Sequence, residues 1–265
     1  MSFVEYLPAP ALRAHIAAYW VRRAGAGPGG RRVYADGCAD VICNAGAGTA
    51  YYHPMARQDV EIPLVPGVLY LGGTMTAYGV VRSEPGSLFT GIRFRPGGFY
   101  ALFAQTMEPA VDTVLPFAEE ELRLAMQSEE GLALRLDRWF DGRPRPRPGR
   151  YDFSSLRGLV DSSGGQVSVE ALAKEAHVSN RTLERIFNQN VGIPPKEFLR
   201  IVRFQEVFKR LRNTDASDES LLRIAYELGY YDHAHLTNEF KKYAGILPSQ
   251  LSHFYKTGIG SSRYF

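Results

Sequence analysis

One sequence pattern occurs twice in the second half of the chain, and it restricts the possible folds more than any other feature. The first copy lies within residues 167–199 and the second within residues 220–251. Five positions of the first helix and turn match in the two copies: 169, 172, 173, 176 and 177 correspond to 221, 224, 225, 228 and 229. The second copy then has one extra residue. Beyond it four more positions match: 183, 187, 192 and 195 correspond to 236, 240, 245 and 248. Each copy has the spacing of helix, short turn and helix. This is the layout of a helix-turn-helix, whose second helix can enter the major groove of DNA.

Local signals place the ends of these helices. Ser168 and Ser179 stand where helices should begin, because a serine hydroxyl there accepts a backbone N–H that has no partner within the helix. The unbroken stretch 195–212 predicts a long connecting helix of about 27 Å, at 1.5 Å per residue. Two recognition helices joined in this way suit successive major grooves of one duplex, about 34 Å apart.

The second helix of each copy has an apolar face and a polar face. In the first copy Arg181, Glu184 and Arg185 form the polar face, and each is long enough to reach a base edge. Arginine can pair with guanine in bidentate fashion, and glutamate can accept from cytosine. The matching residues of the second copy are Ala234, His235 and Asn238. A polar face can also be a solvated face with no ligand, but its occurrence in two linked copies favours DNA binding.

This half resembles the AraC/XylS family of transcription regulators in ALAKEAHVSNRTLERIFNQNVGIPPKEFL at 171–199 and RIAYELGYYDHAHLTNEFKKYAGILPSQL at 223–251. The resemblance covers about residues 156–255. It implies a DNA-binding set of the following residues: Asn180, Arg181, Glu184, Arg185, His233, Ala234, His235, Thr237, Asn238, Lys241 and Lys242. Thr237 would face a phosphate. Arg200 and Arg203 are further candidates for phosphate contacts, or else ordinary solvent-facing residues.

The chain departs from the family pattern in two respects. His177 stands where the family often has glycine in the first turn, at a cost of about 1 kcal/mol if its φ angle is positive. Ala234 and Asn238 are shorter than the residues common at those positions. We therefore expect the second unit to contribute less base specificity than the first, and more positioning on the phosphate backbone.

The first half of the chain has a different pattern of apolar and turn residues. Short apolar or alternating runs between residues 31 and 95 are separated by turn residues, which predicts a β-sandwich or barrel-like domain. Helices are predicted over residues 7–20, after the glycine corner at 95–103, over 116–126 and over 129–141. The fold class is therefore α+β: a β-rich, cupin-like domain with helices at 1–142, a proline- and arginine-rich linker at 143–152, and an all-α double helix-turn-helix domain at 153–257, its two units joined by a long helix.

DGCADVICNAG at 36–46 and GIRFRPGGFYALF at 91–103 resemble the N-terminal cupin-like domain of one group of AraC-type regulators. That resemblance implies a role in sensing or dimerisation. A small-molecule pocket is mostly apolar with a few polar groups. The aromatic candidates for its walls, which are equally suited to an ordinary core, are Tyr34, Tyr51, Tyr70, Tyr78 and Phe89.

The charge, the cysteine content and the lack of long apolar runs limit the partners that the protein could bind. A net charge of +3 permits binding to nucleic acid without requiring it. Cys38 and Cys43 lack the spacing of a disulfide framework or a zinc site, even with His53 nearby, so we expect no metal and no cofactor. No apolar run is long enough for a membrane span and no secretory signal opens the chain, so we expect a cytoplasmic protein without a membrane partner.

These observations predict a sequence-specific transcription regulator that inserts two recognition helices into successive major grooves of double-stranded DNA. Control would come through the N-terminal domain, by a small-molecule effector or by dimerisation with a second copy. RNA polymerase would be a partner if the protein activates transcription. We expect no enzymatic activity. The alternatives are a cupin-like enzyme, or a dimerisation module without a ligand, fused to the DNA-binding domain.

Overall fold

The computed structural model of the chain describes residues 2–24, 30–57, 59–144, 146, 151, 153–212 and 218–251, with the side chains of 218–220 excepted. The N-terminal part is built from antiparallel strands. Their bounds are β1 Ser2–Tyr6, β2 Ile16–Arg23, β3 Arg31–Val33, β4 Ala39–Asn44, β5 Ala50–Pro54, β6 Ile62–Leu64, β7 Leu69–Gly72, β8 Gly79–Ser83, β9 Leu88–Phe94 and β10 Val114–Pro116.

The strands form two sheets. The larger has the order β1-β2-β9-β4-β7-β10, and the smaller has the order β3-β8-β5-β6. Within the described part of this half, three α-helices accompany them: α1 Gly98–Phe103, α2 Glu120–Met126 and α3 Leu132–Asp141. The predicted β-rich domain is confirmed, and so is the glycine corner, where Gly97 has a φ of 79° just before α1. The helix predicted over 116–126 begins later, because Pro116 ends β10.

The prediction of a helix over residues 7–20 is wrong. Pro10–Leu12 form a 3₁₀ turn, and Ile16–Arg23 are strand β2, paired with β1 and β9. Both faces of this strand are covered, so apolar residues occur on both. Tyr19 faces the helices and Trp20 faces the smaller sheet. Apolar residues on two faces produce a spacing that imitates a helix.

The larger sheet is the middle of three layers. Successive side chains of a strand point to opposite faces. On one face Val41 and Ile92 pack with helical residues such as Leu122. On the other face Ile42 and Phe89 pack toward the smaller sheet. The space between the two sheets therefore receives alternate residues of β2, β4 and β9.

The C-terminal part is helical, as predicted. Its helices are α4 Phe153–Ser162, α5 Val169–Glu175, α6 Asn180–Val191, α7 Pro195–Arg212, α8 Asp218–Glu227 and α9 His233–Ala244, followed by a 3₁₀ turn at Pro248–Gln250. The two helix-turn-helix units are α5–α6 and α8–α9, and α7 joins them.

The repeat extends to the backbone of the turns. His177 and Gly229 occupy matching positions, with positive φ angles of 52° and 69°. In the first turn Val178 N donates to Ala173 O at 3.0 Å, and in the second Tyr230 N donates to Ala225 O at 2.9 Å. His177 therefore adopts the left-handed conformation that glycine adopts in the other copy.

The two halves of the chain are packed against each other. Tyr34 and Ala35, which follow β3, are buried among residues of the helical domain. The Tyr34 ring lies 5.2 Å from that of Phe208, and Ala35 N donates to Tyr243 O at 3.5 Å. Gln205 also donates to Ala35 O. The sheets therefore hold the helical domain by direct packing as well as through the chain between residues 143 and 152.

We expect His177→Gly to raise the free energy of unfolding by about 1 kcal/mol, because glycine adopts a positive φ without the clash of Cβ. Chemical denaturation of the full chain would measure the change. His177→Ala is the matched control: it removes the imidazole and keeps Cβ, so it should give no gain. Equal stabilisation by both variants would contradict backbone strain at this position.

Candidate DNA-binding interface

Helix α6 presents its predicted polar face to solvent. The Ser179 hydroxyl accepts from Thr182 N at 3.2 Å and caps the helix. Leu183 and Phe187 are fully buried, whereas the outer residues Asn180, Arg181, Glu184 and Arg185 are exposed. Within the described ranges, none of these four makes a side-chain hydrogen bond or ion pair. Their polar groups are therefore available to a ligand in front of α6.

Helix α9 is capped by a different residue at the same place. Asp232 accepts from His235 N at 2.7 Å, at the position matching Ser179. Leu236 and Phe240 are buried, and Ala234, His235 and Asn238 are exposed. Asp232 is not among the N-caps predicted from the sequence, although aspartate is a typical N-cap residue directly before a helix with regularly spaced apolar residues.

His233 and Thr237 differ from their exposed neighbours. Both are half-buried, and His233 Nε2 and Thr237 Oγ1 are buried without a hydrogen-bond partner in the described part of the chain. His235 Nε2 lies 3.5 Å from Glu239 Oε1, and its ring meets Tyr230 edge to face. His233, His235 and Thr237 of α9 are therefore held closer to the protein than the outer side chains of α6.

Lys242 and Arg200 belong to an ionic network behind α9. Lys242 Nζ lies 2.5 Å from Glu197 Oε1, and the Tyr243 hydroxyl donates to the same oxygen at 3.0 Å. Burial and the nearby carboxylate of Glu197 raise the pKa of Tyr243. Arg200 pairs with Glu197 and Glu239. Any phosphate contact by Lys242 or Arg200 would therefore compete with these carboxylates.

The guanidinium of Arg203 contacts the turn of the second helix-turn-helix unit. Its NH1 donates to Gly229 O at 3.3 Å, and its guanidinium lies 5.2 Å from the centre of the Tyr230 ring. It therefore supports the turn of the second unit. Lys241, by contrast, is exposed on the last turn of α9 and makes no ion pair within the described residues.

Both recognition helices end against the N-terminal domain. Helix α6 ends at Gly192, which has a φ of 81°; a Cβ there would lie 2.6 Å from Val111 Cγ2. Helix α9 ends at Gly245, which has a φ of 69°; a Cβ there would lie 2.4 Å from Tyr78 Cζ. Tyr78 N also donates to Lys242 O at 3.4 Å. Glycine is required at both ends by conformation and by space.

The two segments that contact these glycines are tied to each other. Thr76 donates to Asp112 twice, from N to Oδ1 and from Oγ1 to Oδ2, each at 2.6 Å. Asp112 N donates to Thr74 O at 3.0 Å. Thr76 and Asp112 neighbour Tyr78 and Val111 in the chain, so this pair joins the supports of α6 and α9.

The five aromatic candidates for a pocket do not meet in one place. Phe89 lines a cavity of about 120 Å³ between the two sheets. Tyr34 lies in the helical core, and Tyr78 contacts α9. Tyr70 is buried with its hydroxyl bound to Pro63 O, and Tyr51 lies near the Arg82 guanidinium, 6.0 Å from ring centre to Cζ. The sequence placed these aromatic residues in the β-rich half of the chain but could not show which neighbours their rings would contact.

Known proteins resemble both halves of the chain. Residues 172–253 match the family model of a helix-turn-helix domain, and residues 4–116 match that of a domain of unknown function, DUF6597. An HTH-type transcriptional regulator of Haemophilus influenzae is 40% identical over 97 residues, which are 37% of this chain and 32% of that protein. The HTH-type transcriptional activator RhaS of Pectobacterium atrosepticum is 32% identical over 105 residues, 39% of this chain and 37% of that one.

These matches support the predicted resemblance of residues 172–253 to the helix-turn-helix regulators of the AraC/XylS type. The fold of the chain is also that of ToxT from Vibrio cholerae, a structure 11% identical in sequence that aligns with a TM-score of 0.50 over 99% of this chain and 100% of that one. The chain spans about a third of the length of the curated relatives it matches. Among the described helices, none has the length and apolar character needed to cross a membrane.

We expect Gly245→Ala to lower the free energy of unfolding by more than the roughly 1 kcal/mol that a positive φ costs, because its Cβ would also strike Tyr78. Gly67→Ala is the matched control, since Gly67 has a φ of 76° and open space around its Cβ. Urea denaturation would compare the two variants. Equal losses would contradict a close contact between α9 and the N-terminal domain.

Proposed function

We propose that this protein is a sequence-specific transcription regulator that places α6 and α9 in successive major grooves of double-stranded DNA. The observation that carries the proposal is the doubled helix-turn-helix with matching turns and two exposed outer faces. Arg181, Glu184 and Arg185 would read bases from α6, and Ala234, His235 and Asn238 from α9, with Asn180, His233, Thr237, Lys241 and Lys242 at their edges. The relatives named as regulators of the same type support this function.

The proposed domain organisation has an N-terminal domain at 1–142, a connection at 143–152 and a DNA-binding domain at 153–257. Most of the connection, and residues 252–257, lie outside the described residues. The N-terminal domain would control DNA binding because it supports the ends of both recognition helices. A small shift at Tyr78 or Val111 would change the spacing of α6 and α9, and two grooves can be filled together only at one spacing.

The control would be exerted by a small-molecule effector or by pairing with a second copy of the chain. RNA polymerase would be a further partner if the protein activates transcription. We propose no catalytic step, since the named relatives are regulators and the described residues that make up the interface are suited to binding.

In vitro selection from random DNA should recover two short unequal motifs about one helical turn apart. Arg181→Ala should weaken binding by about 1–3 kcal/mol and relax the preference at one base pair under α6. Glu170→Ala is a suitable control, because Glu170 is exposed on α5 and is not one of the residues proposed to contact DNA. A single motif, or uniform weakening on all sequences, would contradict this mode of reading.

Lys241→Ala should reduce the slope of log affinity against log salt by about one, because each phosphate contact releases a counterion. The stability of the fold should not change. Arg203→Ala should do the reverse, lowering the free energy of unfolding while the salt slope stays the same. DNA titrations at several salt concentrations, combined with thermal denaturation, would separate the two. A slope change in Arg203→Ala alone would contradict this assignment.

A further inference from the structure

The cavity between the two sheets has apolar walls and a cationic side. Its apolar lining includes Trp20, Leu64 and Phe89. Arg22, Arg31 and Arg32 also line it. The cavity volume of about 120 Å³ is close to the ~150 Å³ of an engineered protein cavity that takes up benzene. A second cavity of about 80 Å³ shares Leu64 and other lining residues with it and therefore lies beside it.

Arg22 is an unusual residue to find in this position. It lies on β2 and is only 8% exposed. Its partners on the two adjacent strands are Phe3 of β1 and Phe89 of β9. Its Nε is buried without a hydrogen-bond partner, and it forms no ion pair within the described part of the chain. Burial, with a further contribution from the like charge of Arg31, lowers the pKa of Arg22 to about 10. A buried cation without a counter-charge is costly to the folded state.

Arg93 on the same cavity wall shows the opposite arrangement. Arg93 donates to both oxygens of Asp40, with NH2 to Oδ2 at 3.2 Å, and its NH1 lies 3.6 Å from Asp36. Burial alone would lower the pKa of Arg93, but the two carboxylates raise it. Asp40 Oδ1 also accepts from Trp20 Nε1 at 2.9 Å. Asp40 is therefore committed to Arg93 and Trp20 and does not serve as the counter-charge of Arg22.

We propose that this cavity binds a small organic carboxylate, with its carboxylate group at Arg22 and its aromatic or short aliphatic body against Trp20, Phe89 and Leu64. The guanidinium fork matches a carboxylate in bidentate geometry, and the low dielectric of the cavity strengthens the pair. The apolar walls exclude a strongly hydrated anion with no apolar body. Such a ligand would provide the counter-charge that the described residues do not offer Arg22.

The site is connected to the helical domain by β3. Arg31, Arg32 and Val33 line the cavity. The next residues, Tyr34 and Ala35, are buried among the helices, where Ala35 meets Tyr243 of α9. A ligand that moves β3 would therefore act on the core beneath the second recognition helix. This consequence for DNA rests on the function proposed above, whereas the binding of a carboxylate does not.

The test uses the full chain and matched pairs of compounds. Benzoate, phenylacetate and hexanoate should raise the melting temperature at millimolar concentration, and benzamide, phenylacetamide and hexanamide should not. The chain has two tryptophans, so the Trp139→Phe variant fluoresces through Trp20 alone. Because Trp20 lines the cavity, a change in its fluorescence on adding the carboxylate would place the ligand there. Absence of binding by all three carboxylates, or equal stabilisation by the amides, would overturn the proposal.

Arg22→Met keeps the approximate volume of the side chain and removes its charge. It should weaken carboxylate binding about 10- to 100-fold, while its melting temperature without ligand stays the same or rises. Arg22→Lys retains a charge without the fork and should give intermediate binding, which keeps the test valid if the methionine variant does not fold. Arg82→Met is the control, because Arg82 is exposed and paired with Glu61. Unchanged carboxylate binding in Arg22→Met would overturn the proposal.

A final measurement separates this proposal from the proposed function. DNA from the selection experiment would be titrated with and without the best carboxylate. If carboxylate binds and DNA affinity changes at least threefold, both proposals are supported. If the protein selects no DNA sequence but still binds carboxylate through Arg22, the proposed function fails and the ligand site stands. If it selects DNA but binds no carboxylate, the ligand site fails and the proposed function stands.

Discussion

The contact of two glycine helix ends with the N-terminal domain is the constraint on which the rest of the structure depends. Gly192 and Gly245 end the two recognition helices in the left-handed conformation, and each approaches the N-terminal domain too closely for a Cβ. The backbone thereby turns away from the helix axis at the point where the two domains meet. These two contacts, joined by the bonds between Thr76 and Asp112, therefore help to fix α6 and α9 relative to the sheets, together with the packing of Tyr34 and Ala35 in the helical core.

The same arrangement explains why a sensing role suits the N-terminal domain. A domain tethered through its linker alone could change its own structure without moving the recognition helices. Here Tyr34 and Ala35 are part of the helical core, and the strand before them borders the cavity. A packed core transmits displacement because it has few voids into which side chains can relax.

The two recognition helices are equivalent in backbone and unequal in chemistry. Arg181, Glu184 and Arg185 of α6 are long, charged and without partners in the described chain. The matching residues of α9 are short or, like His235, held by a neighbour such as Glu239. Lys242 is held by Glu197 in the same way. If α6 and α9 read DNA as proposed, the site should be asymmetric, because a single chain with two recognition helices does not require a palindrome.

The sequence by itself determined the repeated helices, the serine caps of α5 and α6 and the strands between residues 31 and 95, because these follow from local spacing and from residues that satisfy the backbone locally. It also indicated the strain at His177, whose φ is 52°. It did not identify β2, because a strand covered on both faces has no alternation to read. Only the tertiary structure decided that Tyr34 belongs to the helical core, that Phe89 alone of the five aromatic candidates borders the cavity, and that Arg22 is buried beside it. Those outcomes depend on which sheet faces which neighbour, and that is set by long-range packing between segments far apart in the chain.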